Sequence, residues 1–190
     1  MTFIRRRYLL ALAGIALVYL HNTLPHLTMM PRVNVDEPWL MERAYQVLRT
    51  GVPSQPMLGL KTAYLLQVGY GYLLAPWMGV LGVGLFQARL FNVLMGLGTV
   101  VLVASIGRRT IDPVAGLTAA ALLAVDSNFL GGARNARTDL PSVFFVTVCV
   151  ISVISSTTPM RVFCSPCSTS VLSAERTRRF RRIHNETSTC

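Results

Sequence analysis

Charged residues are scarce in this sequence. Asp, Glu, Lys and Arg make up 14% of the 190 residues, whereas hydrophobic residues make up 52%. Soluble domains carry about 25% charged residues. A water-soluble globular domain is therefore a poor fit, and the composition favours a protein embedded in lipid.

Cysteine is also scarce, with four residues, and Cys149 lies within an apolar run. Cys164 and Cys167 are spaced as in half of a zinc site. The next candidate ligands, His184 and Cys190, follow at no common zinc-site spacing. So few cysteines do not predict a disulfide framework. We expect neither a metal nor a cofactor.

Acidic residues are the rarer charged residues: eight Asp and Glu stand against 18 Lys and Arg, which gives a net charge of +10. Such a charge could indicate nucleic-acid binding. However, the arginines cluster beside apolar runs, at Arg5–Arg7 and Arg108–Arg109, and in the tail at Arg176–Arg182. Clusters at the ends of apolar runs follow the positive-inside rule of membrane proteins. We therefore expect cytoplasmic loops and no nucleic-acid partner.

Long apolar runs are what the sequence has in abundance. A transmembrane helix needs about 20 such residues, and four runs qualify, at about 7–27, 84–106, 113–131 and 140–158. A fifth run, 62–83, is aromatic-rich and broken by glycine and proline, which favours a position in the membrane interface. Only with that run not spanning do both arginine clusters lie in the cytoplasm. We predict an all-α integral membrane protein with about four transmembrane helices.

The first outer loop contains "DEPWLMERAYQVLRTG", residues 36–51. Its apolar residues recur at helical spacing, Pro38 suits a first turn, and Gly51 suits a helix end. Asp36 or Glu37 is suited to cap the helix. The pattern predicts a juxtamembrane amphipathic helix that holds an acidic pair at its N-terminal end.

The character of the sequence changes near residue 159. The last 32 residues are rich in Ser, Thr and Arg and have little apolar periodicity. We predict two parts: a transmembrane module over 1–158 and a basic tail over 159–190. The tail is either disordered or the product of out-of-frame translation.

Ionisable residues in or near a membrane are costly, so they are functional candidates. The candidates near the outer face are Asp36, Glu37, Lys61, Arg89, Arg134, Arg137 and Asp139. A carboxylate can accept the proton of an attacking hydroxyl or amine, and arginines can bind a departing phosphate. This mixture suits transfer of a sugar from a lipid phosphate. Asp126 is expected to be a polar contact between helices instead.

Four short motifs, in this order, resemble the polytopic C-type-fold glycosyltransferases that use polyprenyl-phosphate sugars. That group includes protein O-mannosyltransferases, aminoarabinose transferases and rhizobial lipopolysaccharide glycosyltransferases. The motifs are "DEPW", "LGVGLFQARLFN", "GRRTIDPVAG" and "ARNARTDLP", and the likeness covers about 1–157. Family members usually have ten or more spans, so we expect a truncated N-terminal module.

The resemblance implies a role for the matching positions. Asp36 corresponds to the general base, and Glu37 to the second residue of the acidic pair. Asp139, with Arg137, corresponds to an acidic position in the next outer loop, and Arg89 to a basic residue near the active site. The implied reaction is inverting transfer to a lipid, glycan or protein acceptor, at the extracytoplasmic face of a bacterial inner membrane.

Two other functions remain open from the residues alone. The first is a non-enzymatic membrane subunit that binds a lipid-phosphate carrier and tolerates Asp36→Asn. The second is a transporter fragment, which is the weakest of the three because the centres of the spans are nearly free of charge.

Overall fold

The computed structural model describes residues 2–25, 27–29, 32–56, 59 and 68–157. These residues form α-helices and no strands, which confirms the predicted all-α class. The helices are α1 (Thr2–Thr23), α2 (Asp36–Thr50), α3 (Val68–Leu81), α4 (Leu85–Thr110), α5 (Pro113–Val125), α6 (Ser127–Arg134) and α7 (Asp139–Thr157). The predicted tail, with Cys164 and Cys167, lies outside the described residues, as does Lys61.

The chain divides into a compact unit of residues 1–152 and a second unit of residues 153–190. The packing that follows is that of the first unit. Its central element is α4, which contacts α1, α3, α5 and α6. One apolar cluster joins α4 to α1, α5 and α6, and another joins it to α2 and α3. The N-terminal half of α4 therefore lies between the two clusters, where the candidate site is built.

Helix α2 has the bounds that its sequence predicts. Leu40 and Ala44 are buried against α3, and Gly51 ends the helix with φ at 75° and its N–H donated to the Val47 carbonyl. The predicted cap is wrong. Val35 holds the cap position without a side-chain hydrogen bond, because Glu37 turns towards the interior instead.

The ambiguous run 62–83 contains α3, which has 14 residues and Pro76 inside it. A helix of that length is shorter than the roughly 20 residues needed to span a bilayer. Gly71 and Gly79 allow α3 to lie close to α2, since a Cβ at Gly79 would be 3.2 Å from the Leu48 side chain. Residues 61–67 lie outside the described part of the chain.

The predicted span 113–131 is not one straight helix. It is divided into α5 and α6, which are bent by 61°. Asp126 causes the break because its carboxylate accepts the N–H of Phe129 at 2.8 Å and caps α6. Asp126 is thus an exposed helix cap, and the expectation that it makes a polar contact between helices is wrong.

Two of the described helices are long and apolar enough to cross a membrane: α4, and α7 over Asp139–Ser156. The bent pair α5–α6 would be a third if it is a single span. Helix α1 has 22 residues but carries Arg5–Arg7 near its start and ends in His21, Asn22 and Thr23, so its apolar part is short. The membrane character is confirmed, with fewer clear spans than the four predicted.

Candidate functional site at the N-terminal end of the fourth helix

The two halves of the acidic pair have opposite environments. Glu37, in the first turn of α2, forms an ion pair with Arg89, in the second turn of α4. Both side chains are 0% exposed. Arg89 donates from Nε to Oε1 at 2.9 Å and from Nη2 to Oε2 at 2.8 Å. This is the bidentate geometry in which an arginine binds a carboxylate most strongly.

Backbone groups complete the coordination of this ion pair. Oε1 of Glu37 also accepts the N–H of Ala136 at 2.7 Å, and Oε2 accepts the N–H of Asn34 at 3.0 Å. Arg89 donates from Nη1 to the Leu27 carbonyl at 2.6 Å. Each carboxylate oxygen therefore accepts two hydrogen bonds. The ion pair connects the end of the first loop, α2, α4 and the loop after α6.

These contacts determine the protonation of Glu37. Burial raises the pKa of its carboxyl, but the hydrogen bonds from Arg89, Ala136 and Asn34 and the charge of Arg89 act in the other direction. The net result is a pKa below the ordinary value of a glutamate. Glu37 is thus ionised at neutral pH and has no lone pair left for a substrate proton.

Asp36 lies on the exposed side of the same turn. Its Oδ2 is 3.9 Å from Nε of Arg137, and that same nitrogen is 3.5 Å from Oδ2 of Asp139. The side chains are 45%, 41% and 57% exposed, respectively. The structure therefore brings these three predicted residues together at the surface, and we call them the acidic cluster.

Asn92 holds the loop that carries Arg137. The Asn92 side chain is buried in α4, one turn after Arg89, and its Nδ2 donates to the carbonyls of Asn135 at 2.6 Å and Arg137 at 2.7 Å. Its Oδ1 accepts the hydroxyl of Tyr70 at 3.2 Å. Asn92 is not among the predicted site residues, although an amide within an apolar span is itself a signal of a buried polar network.

A groove of about 310 Å³ opens beside the acidic cluster. Its walls come from α3 and from the start of α7, and it is lined by Gly69, Tyr70, Leu73, Thr138, Pro141, Ser142 and Phe145. Thr138 lies between Arg137 and Asp139 in the chain, so the cluster borders the groove. The lining is mainly apolar, with hydroxyl groups near the cluster.

The other predicted cations lie elsewhere. Arg134 donates from Nη2 to the carbonyl of Asn22, near the end of α1. Arg89 is enclosed in its ion pair, and Lys61 is outside the described residues. Among the residues that the structure describes, no group of three or more His, Cys, Asp or Glu side chains is arranged to hold a metal ion.

The family model of the dolichyl-phosphate-mannose-protein mannosyltransferases matches residues 68–161. Over that region, which is just under half of the 190 residues, the chain is similar to this family of membrane glycosyltransferases. The matched region contains Arg89, Asn92, Arg137 and Asp139, whereas α2 with Asp36 precedes it. No curated protein and no solved structure matches the chain.

Proposed function

We propose that the chain transfers a sugar from a polyprenyl-phosphate donor to an extracytoplasmic acceptor, with inversion at the anomeric carbon. The observation that carries this proposal is the exposed acidic cluster beside an apolar groove. A lipid-linked sugar phosphate needs both parts, because its chain is apolar and its reacting end is charged. The family match supports the same class of reaction.

Asp36 is the proposed general base. Its carboxylate accepts the proton of the acceptor hydroxyl or amine as the oxygen or nitrogen attacks the anomeric carbon. The bond from that carbon to the phosphate oxygen breaks, and its electron pair leaves with the polyprenyl phosphate. Attack from the side opposite the leaving phosphate inverts the anomeric configuration.

Arg137 and Asp139 have supporting roles in this proposal. Arg137 keeps a permanent charge and can bind a phosphate through two N–H groups, so we assign it to the phosphate of the donor. Asp139 orients the Arg137 side chain, or holds the acceptor next to the base. Arg134, the last residue of α6, and Lys61, which lies outside the described residues, remain predicted phosphate ligands.

Glu37 and Arg89 lie in the interior beneath the acidic cluster and support it without being exposed. Because their ion pair is buried and fully hydrogen-bonded, we propose that they position Asp36 and do not touch substrate. Glu37 adjoins Asp36 in the first turn of α2, and its partner Ala136 adjoins Arg137 in the loop after α6. One ion pair thereby fixes both sides of the acidic cluster.

The test is sugar transfer in membranes that contain the full chain and a polyprenyl-phosphate sugar. Loss of a general base lowers rates by about 10²–10⁴-fold, so Asp36→Asn is expected to abolish measurable transfer. Asp126→Asn is the matched control, since asparagine caps a helix as well as aspartate does. Near-normal transfer by Asp36→Asn would remove Asp36 from the reaction.

A non-enzymatic subunit is the alternative function. The groove and Arg137 favour it as well, because they suffice to bind a lipid phosphate without any base. This alternative predicts binding of polyprenyl phosphate without transfer, and equal binding by the protein and by Asp36→Asn. Transfer that depends on Asp36 excludes it.

A further inference from the structure

The opposite end of the molecule carries a second concentration of charge. Arg5–Arg7 lie in the first turns of α1, and Arg108–Arg109 lie in the last turn of α4. All five side chains are exposed. Around them, segments 1–8 and 104–116 contain one acidic residue, Asp112, whose carboxylate accepts the N–H of Ala115 at 2.6 Å.

Tyr8 joins the two groups of arginines. Its hydroxyl donates to the carbonyl of Ala104 at 3.1 Å, which fastens α1 to α4. The guanidinium of Arg108 lies over the Tyr8 ring, 4.8 Å from the centroid. Such stacking holds a guanidinium in place while its N–H edge stays available. The end of the molecule is thus an assembled surface, and we call it the basic end.

Helix stability does not explain this arrangement. Cations at a helix C-terminus interact favourably with the helix dipole, which accounts for Arg108 and Arg109. The same dipole disfavours Arg5–Arg7, because they lie near the N-terminal, positive end of α1. The like charges of Arg5, Arg6 and Arg108 also repel one another. An anionic partner would compensate both costs.

The surroundings of the basic end identify the kind of partner. Large apolar side chains are exposed next to the arginines: Leu9 and Leu10 on α1, and Ile111 and Val114 at the turn into α5. Helix α4 is long and apolar enough to span the bilayer, which places its last turn at headgroup depth. Phosphates above apolar chains are the chemistry of a phospholipid, not of a soluble anion.

We propose that the basic end binds the headgroup phosphates of anionic phospholipids, with Arg108 oriented by Tyr8 and the lipid chains lying against the adjacent apolar residues. Attraction of arginines to an anionic membrane surface is a general effect. The specific element here is a site made by two helix ends. Such a lipid would clamp α1 to α4 at the face opposite the acidic cluster. This proposal does not depend on the proposed sugar transfer.

The experiment measures lipid retained by the purified full chain after extraction from bilayers of equal phosphatidylglycerol and phosphatidylcholine. The unaltered protein is expected to retain more phosphatidylglycerol than phosphatidylcholine. The double variant Arg108→Gln, Arg109→Gln is expected to lower this excess by roughly fivefold per arginine at low salt. Arg49→Gln is the matched control, because Arg49 also lies over a tyrosine ring, that of Tyr45, at 5.7 Å. It should retain the excess.

Further variants separate charge from folding and lipid from free anion. Arg108→Lys keeps the charge and is expected to keep most of the phosphatidylglycerol. Equal retention of the two lipids by the unaltered protein would overturn the proposal, and so would an equal loss in Arg49→Gln. If inorganic phosphate displaces the lipid at constant ionic strength, the site takes a free phosphate and the lipid assignment is wrong.

Discussion

The adjacent carboxylates Asp36 and Glu37 have different environments, because successive residues on a helix point about 100° apart. Glu37 is directed to the interior and binds Arg89, while Asp36 is directed to the surface. The sequence predicts the acidic pair but not this division. Arg89 lies 52 positions from Glu37, and a charge pattern does not state which distant charges meet.

The buried ion pair provides a prediction about single residues. Removing one partner of such a pair leaves an uncompensated charge and costs about 3–5 kcal/mol. Glu37→Gln is therefore expected to lower the free energy of unfolding by that amount, measured by denaturant titration in detergent. Asp36→Asn, at the exposed neighbour, should change it little. Equal effects of the two variants would contradict the assignment.

The low pKa of Glu37 makes a prediction about acid. Because its pKa is lower in the folded than in the unfolded chain, its stabilisation is complete above the ordinary glutamate value of about 4.3 and is lost as the pH falls through the folded-state value. The difference in free energy of unfolding between the protein and Glu37→Gln should stay constant from neutral pH down to about 4.3, the ordinary glutamate pKa. Below that pH the difference should shrink. A difference that grows as the pH falls from neutral towards about 4.3 would instead indicate a raised pKa and contradict this account.

At the scale of helices, strong local signals in the sequence predict α2 and α4 well. The Gly51 stop and the apolar spacing of Leu40 and Ala44 determine α2. The break between α5 and α6 is not predicted, because the run around it is uniformly apolar and hydropathy does not reveal a cap. Asp126 followed by Ser127 is the signal that the sequence offers.

Asn92 is predicted to control the loop after α6. Asn92→Leu removes the hydrogen bonds to the carbonyls of Asn135 and Arg137. The N–H of Ala136 donates to Glu37. Loss of the Asn92 hydrogen bonds is expected to lower the free energy of opening this loop by about 1–3 kcal/mol. The Ala136 amide should then exchange with solvent at least roughly fivefold faster. Hydrogen exchange read by mass spectrometry measures this. Unchanged exchange over 133–138 would show that the ion pair alone holds the loop.

A close helix contact supports the packing of α4 on α5. A Cβ at Gly107 would lie 2.5 Å from the Cα of Gly116, so the backbones must separate to admit it. Gly107→Ala is expected to destabilise the protein by about 1–3 kcal/mol. Gly14→Ala is the control, because a Cβ at Gly14 would meet nothing within 4 Å and alanine favours a helix. In thermal unfolding, the Tm of Gly107→Ala should lie below that of the unaltered protein, and the Tm of Gly14→Ala should lie above it.

For the whole molecule, composition predicts a helical membrane protein, and the distribution of arginines predicts its orientation. The number of spans is harder to predict, because α1 carries arginines near one end and the run 113–131 forms two helices with a bend between them. Orientation depends on where charges lie relative to lipid. The helix contacts carry no information about which side faces the cytoplasm.

The proposed sugar transfer requires Asp36 and Asp139 to share one extracytoplasmic site. Single cysteines at these positions, in a chain whose four native cysteines are replaced by serine, are exposed to an impermeant maleimide from the outside of intact cells. Both are expected to react, while a cysteine at Arg109 reacts only after the cells are opened. Reaction of positions 36 and 139 from opposite sides, or of position 109 together with them from outside, would contradict a shared outer site.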